Sequence, residues 1–220
     1  MADLLVLVHT VPPLIEVFNR LAAELLPGVR LLHVLDEPLL EQVRRRGHLA
    51  DEDALRLGTH VQEAARIGAA AVLITCSTVS PCVDAVRDQA EVPVLRIDEV
   101  MIREAVVQGS YIGVIATNRT TLEPTRQLLQ AEGARTGRQI DVELLLVEGA
   151  LPALLNGDGA AHDRLVRQAI LSLAPRVDVV VLAQASIARV MSVLAQDPLG
   201  IQVLSSPHLA LQQVARLLRK

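Results

Sequence analysis

Residues 71–76 read Ala-Val-Leu-Ile-Thr-Cys, and residues 179–184 read Val-Val-Val-Leu-Ala-Gln. Each is a short apolar run that closes on a polar side chain, Cys76 in the first and Gln184 in the second. Val92 lies 16 residues beyond Cys76 and opens Val-Pro-Val-Leu-Arg-Ile; Ile201 lies 17 residues beyond Gln184 and opens Ile-Gln-Val-Leu-Ser-Ser. Each of these second runs leads into an amphipathic stretch, Glu99–Val107 and Leu209–Leu217. Further upstream, Leu4–Thr10 and Tyr111–Thr117 both end an apolar run at a hydroxyl residue before a helical segment. The chain thus repeats itself, and the repeat decides the fold.

Working outward, short Val/Ile/Leu runs at 3–9, 29–35, 70–75, 93–97, 111–116, 140–147, 178–183 and 201–205 predict strands. Helical spacing predicts helices at 12–26, 51–67, 80–89, 98–107, 120–131, 160–173, 186–196 and 207–219. Strand–helix alternation at this spacing calls for parallel sheets with crossover helices, because parallel strands need a long connection that returns over the sheet. The expected fold class is α/β, with two similar Rossmann-like parallel-sheet halves related by pseudo-symmetry. The first half is expected at 1–100 plus 207–220, the final helix packing back, and the second at 101–206. The cleft between the halves is the expected functional pocket. Asn156-Gly157-Asp158-Gly159 reads as a turn.

Composition narrows the class of function. Of 220 residues, 51% are hydrophobic and 21% charged, ample apolar material for a core and too much for disorder. The mean hydropathy of +0.38 fits strands buried on both faces. No apolar run approaches the ~18 residues of a membrane helix. The N-terminal segment lacks the positive region of a signal peptide and reads as a first strand, so no membrane role and a cytoplasmic location are expected. A net charge of −4 and two aromatics, Phe18 and Tyr111, give a stacking nucleic-acid surface nothing to build on. The run Arg44, Arg45, Arg46 reads as a solvated helix face. The one lysine, Lys220, is a poor anchor for pyridoxal phosphate. Neither a Gly-x-Gly-x-x-Gly turn, a phosphate-loop lysine nor a Gly-x-Ser-x-Gly elbow occurs, and two cysteines without clustered histidines do not make a zinc site.

In open α/β sheets ligands bind beyond the carboxyl ends of the strands. Those ends carry His9-Thr10, Thr75-Cys76-Ser77-Thr78, Thr117-Asn118-Arg119-Thr120-Thr121 and Gln184-Ala185-Ser186. Cys76 stands between a strand and a helix expected from Ser80-Pro81, where the helix dipole favours thiolate; the competing reading is a small buried residue. Cys82 reads as packing. The hydroxyls and N–H groups of Thr117 to Thr121 suit a carboxylate or, more plainly, an N-cap by Thr120 or Thr121. His9, and His208 at the start of the last helix, are candidate acids, bases or anion donors, or structural residues. His33, His48, His60 and His162 carry no distinguishing context, although His33 and Asp36 lie near the end of the second strand.

Taken together, Ile74-Thr75-Cys76-Ser77-Thr78, Gly113-Val114-Ile115-Ala116-Thr117-Asn118-Arg119-Thr120 and Val181-Leu182-Ala183-Gln184-Ala185-Ser186 resemble the aspartate/glutamate/hydantoin racemase superfamily over nearly the whole chain. The resemblance implies two Rossmann-like halves, no cofactor, no metal, a small-molecule carboxylate substrate and a homo-oligomer. It implies a cysteine from each half, one thiolate removing the α-proton and the other thiol returning one on the opposite face. Cys76 matches the first-half cysteine, and the second falls at Gln184, where this chain has an amide. Thr117 and Thr120 match hydroxyls that hold a substrate carboxylate; Ser77 stands where many racemases have asparagine, Thr78 keeps the following threonine, and His9 and Thr10 occupy the first-strand position that lines the family pocket. Asn118, Thr75, Ser186 and His208 complete the expected substrate-binding set. The expected activity is a cofactor-independent racemase or isomerase that uses Cys76. A single-cysteine lyase or decarboxylase, and a carboxylate-binding protein without catalysis, remain the alternatives, because an amide at 184 does not exchange protons near neutral pH.

Overall fold

The computed structural model describes residues 3–194 and 199–219. The chain divides into two compact units, Met1–Glu99 with Pro207–Lys220, and Val100–Ser206.

The first unit holds β1 (Leu4–His9), α1 (Pro13–Leu25), β2 (Arg30–Leu35), α2 (Glu37–Arg46), α3 (Asp51–Arg66), β3 (Ala71–Ile74), a 3₁₀ turn at Ser80–Cys82, α4 (Val83–Arg87) and β4 (Val94–Arg96). Its sheet has the order β2-β1-β3-β4, and all pairings are parallel. β1 and β3 are buried at every residue. That explains why they read as unbroken apolar runs instead of alternating ones. The edge strand β2 is only partly covered, with Leu32 and Leu35 exposed. Leu39, Val43, Leu57, Val61 and Ala64 of α2 and α3 pack on Val6, Val8, Val72 and Ile74 of the sheet.

Helix α2 falls where helical spacing assigned none. Asp36 caps it, accepting from the Leu39 N–H at 3.1 Å; Pro38 lies in its first turn, and Gly47 ends it at φ +81°. These are ordinary start and stop signals. Arg44 and Arg45 are exposed on this helix as expected, but Arg46 is half-buried, bound to Asp53 and, at 2.6 Å, to Glu52. The helix expected at 80–89 is instead a 3₁₀ turn followed by the five-residue α4.

The second unit repeats the plan with α5 (Glu99–Gln108), β5 (Tyr111–Ala116), α6 (Arg119–Arg135), β6 (Asp141–Leu146), α7 (Ala150–Leu155), α8 (Gly159–Leu173), β7 (Val179–Leu182), a 3₁₀ stretch at Ala185–Val190, α9 (Met191–Leu194) and β8 (Gln202–Ser205). The closing helix α10 (Ser206–Leu218) groups, from Pro207 on, with the first unit. The second sheet has the order β6-β5-β7-β8, again all parallel. The protein is therefore α/β, with two parallel four-stranded sheets of the same topology. Asp158 caps α8 by accepting from the Ala161 N–H at 2.9 Å, and Gly157 takes φ +83° in the turn before it. The helix expected at 186–196 is mainly 3₁₀, and its last two positions, like Lys220, lie outside the described residues. Among the described residues no helix is long and apolar enough to cross a membrane.

Candidate active site

The chain runs from β1 to β2 on one side and then crosses back past β1 to β3 on the other, so the first sheet reverses its winding between β1 and β3. A crevice opens outside the carboxyl ends of two strands at such a point. Pairing of Val8 with Ile74 sets what stands there: His9 and Thr10 lie beside Thr75 and Cys76. The second sheet reverses between β5 and β7, and Ile115 pairs with Leu182, so Ala116 and Thr117 lie beside Ala183 and Gln184. Counted from equivalent pairs, Thr10 corresponds to Thr117 and Cys76 to Gln184.

In the first unit Cys76 is 8% exposed. The Thr10 and Thr78 hydroxyls and the backbone N–H groups of Thr78 and Val79 surround its sulfur as donors that favour the ionised form, and the Val79 N–H also donates to the Cys76 carbonyl at 3.2 Å. Burial pushes the thiol above its ordinary range, and these four donors work against that push. The helix that follows, expected to run for ten residues from Ser80, is a 3₁₀ turn and five α residues. Ser77 is buried, and its hydroxyl has no partner among the described residues. Burying a hydroxyl unpartnered costs about 1–3 kcal/mol, a cost a ligand oxygen would remove. Cys82 is also buried, and its thiol is pushed up to about 11, first by burial and then by Asp53.

His9 is fully buried and sits at the head of a hydrogen-bond chain. The Thr75 hydroxyl donates to the Val8 carbonyl at 3.0 Å, so its oxygen accepts from His9 Nδ1 at 2.8 Å. That leaves a lone pair at Nε2 of neutral His9, which accepts from His33 Nδ1 at 2.8 Å. His33 Nε2 in turn lies 3.0 Å from Asn19 Oδ1. Burial, with His33 second, lowers the His9 pKa to about 4. Both ring nitrogens are engaged, so His9 orders Thr75 and has no nitrogen free for a ligand. His33 and Asn19 were not distinguished in the sequence; position 33 is the fourth residue of β2, paired with Leu7, and only that register reveals it. Asp36, next to the end of β2, accepts from Arg56 at 2.6 and 2.7 Å and from His60 at 2.7 Å. Burial would raise its pKa, but those bonds hold it below the usual carboxylate value. This cluster ties α3 to the start of α2.

In the second unit Gln184 Oε1 accepts three hydrogen bonds: Thr117 N–H at 2.6 Å, the Thr117 hydroxyl at 3.1 Å and Asn118 N–H at 3.2 Å. Asn118, not Thr120 or Thr121, caps α6, its Oδ1 accepting from the Thr120 N–H at 3.3 Å. The Thr120 hydroxyl oxygen is buried without a partner among the described residues. Ser186 is half-buried in the 3₁₀ stretch, and His208 is exposed at the first turn of α10. A groove of about 810 Å³ between α3 and α4, lined by residues such as Ala54, Gly58 and Gln89, includes none of these strand-end residues. Among the described residues, no three His, Cys, Asp or Glu side chains stand together as metal ligands.

Residues 10–214 match the family described as Asp/Glu/hydantoin racemase. No curated protein sequence matches the chain. Among solved structures, glutamate racemase isoform RacE1 from Bacillus anthracis aligns with a TM-score of 0.74 at 16% identity, over 99% of this chain and 82% of that one. Allantoin racemase from Klebsiella pneumoniae aligns with a TM-score of 0.71 at 19% identity, over 99% and 88%. Arylmalonate decarboxylase aligns with a TM-score of 0.59 at 17% identity, over 98% and 92%. At these identities the three structures share the fold. The match over residues 10–214 reaches from the strand-end Thr10 well into the last helix, and on it the chain belongs to the Asp/Glu/hydantoin racemase family, whose racemases are isomerases.

Proposed function

We propose that the protein is a cofactor-independent isomerase of a small carboxylate, moving a proton at the carbon next to the carboxyl group, with Cys76 as acid and base. The supporting observation is the ring of donors around the Cys76 sulfur at the winding reversal of the first sheet. In the first step the ionised sulfur takes the α-proton, leaving the electron pair on carbon and the adjacent carboxylate as an enediolate. In the second step an O–H of water protonates the carbon, and the hydroxide so formed takes the proton from the Cys76 thiol, leaving the sulfur again an anion. A buried thiol with a raised pKa is a strong base once ionised, and the hydroxyls of Thr10 and Thr78 steady the charge. Positioned acid–base help of this kind contributes roughly 10²–10⁴-fold. A working thiol must stay reduced, which fits a cytoplasmic setting.

Gln184 has no acid proton to exchange and His9 is spent on Thr75 and His33, so the second proton comes from water, with the exposed His208 as the other candidate donor. That favours a second reading from the same observation, a lyase or decarboxylase that protonates a carbanion from one face. The test is incubation in D₂O with α-amino acids, hydantoins and malonates, following the α-proton by NMR. Exchange with racemisation is expected. Exchange with retained configuration, or loss of CO₂, moves the assignment to the second reading. Cys76→Ala should abolish every exchange, and an unchanged rate removes Cys76 from the chemistry.

A further inference from the structure

We infer that Gln184 sets ligand specificity in the second unit, by filling the donor nest with its own oxygen and presenting its amide N–H groups in exchange. The inference rests on the proposed carboxylate chemistry and goes further, because it says which atoms of this unit meet the ligand. Two of the three groups around Oε1 are backbone N–H donors, Thr117 at 2.6 Å and Asn118 at 3.2 Å. Backbone N–H groups can only donate, so the amide is held with its oxygen inward. The Thr117 hydroxyl, at 3.1 Å, adds a third donor. An oxygen accepting three donors, two of them from the first residues of a helix entry, occupies the place that would otherwise take a carboxylate oxygen.

The register makes the same point. Thr10 donates to the Cys76 sulfur in the first unit, and Thr117 donates to Gln184 Oε1 at the equivalent position of the second. The donors that would receive a ligand carboxylate or steady a second thiolate are engaged by a neutral oxygen of the protein itself. Displacing it would strand three donors or require the ligand to replace all three bonds. The other end of the amide, Nε2 with two N–H groups, has no partner among the described residues, and the side chain is half-buried. The ligand group this unit selects is therefore an oxygen acceptor, a carboxylate or a carbonyl, met by N–H donors of fixed orientation.

Two measurements decide it, neither requiring turnover, so their outcome is separate from that of the Cys76→Ala exchange experiment. In the free protein, amide hydrogen exchange at Thr117 and Asn118 should be slow and should accelerate in Gln184→Ala; equal rates in both proteins overturn the plug. With malonate as probe, the side-chain amide pair missing from the NMR spectrum of Gln184→Glu should shift saturably in the wild type. Gln184→Glu, which keeps an oxygen in the nest but replaces donors by an anion, should weaken malonate by about tenfold or more, the loss of one charge-assisted bond. Absence of a saturable shift, unchanged affinity in Gln184→Glu, or markedly tighter binding in Gln184→Ala each overturns the inference, the last because it would show the opened nest to be the true site.

Discussion

Cys76 and His9 show how far a single residue departs from its ordinary chemistry at a strand end. Burial raises the Cys76 thiol above 9.0, its ordinary value, although four donors surround the sulfur. Alkylation by iodoacetamide should therefore be slow at neutral pH and still be accelerating above about pH 10, where an ordinary thiol has levelled off. Measured by mass spectrometry in a Cys82→Ala background, a plateau reached near neutrality would contradict this reading. His9 moves the other way, from 6.5 to about 4. Its folded form resists protonation while the unfolded chain accepts it. Stability is thus retained above pH 6.5 and falls as the pH drops from 6.5 toward 4. For a fully buried ring the loss across that window is at most about 3 kcal/mol. Urea midpoints of wild type should fall over this range, and those of His9→Gln should fall less. The position of Cys76 at a strand end was legible in the sequence. Its ionisation was not, because that depends on burial and on Thr10, 66 residues away in sequence.

At the scale of the element, the strands were legible to within a residue at either end. Buried parallel strands leave unbroken Val/Ile/Leu runs, and the pattern needs no partner to be seen. Short helices were not. α7 has six residues, too few for an apolar period to stand out; α2 has ten, as α5 does, but buries only Leu39 and Val43, so only the Asp36, Pro38 and Gly47 signals mark it. The cap of α6 was misread by two or three positions, since Asn, Thr and Thr all qualify and only backbone geometry picks Asn118. Asn118→Ala should cost about 1 kcal/mol through the lost cap. Gly113 in β5 has a different logic. A Cβ there would stand 2.5 Å from Leu173 Cδ2 and 3.2 Å from Val177 Cγ2, where the end of α8 and its following turn close on the strand. Gly113→Ala should destabilise by about 1–3 kcal/mol, the usual cost of overpacking, and thermal unfolding of the full chain would show it. No loss in midpoint would mean that Leu173 simply rotates away.

For the molecule as a whole, the internal repeat carried the architecture, since 71–76 against 179–184 already paired β3 with β7. What the repeat could not carry is the departure at its own end, because a matched position with a different side chain says nothing of what that side chain binds. Two sheets of one topology place β1 and β3, and β5 and β7, in the interior of each sheet, with β2, β4, β6 and β8 at the edges. Interior strands have neighbours on both sides and are buried throughout except at Tyr111, which opens β5, while β2 mixes exposed and half-buried residues and β6 is half-buried beyond the exposed Asp141. Local opening is cheapest where few buried contacts are lost, so hydrogen exchange should resolve the repeat a second time. The slowest amides should fall in β1, β3, β5 and β7, with β2 and β6 exchanging measurably faster in both units. If β2 were as protected as β1, an undescribed surface would have to be covering that edge. If protection were high in one unit and low throughout the other, the two sheets would share a topology without sharing a stability. Cys76 and Gln184 would then stand on scaffolds of unequal rigidity, and the side of the repeat that opens first would be the one whose strand-end group is less firmly held.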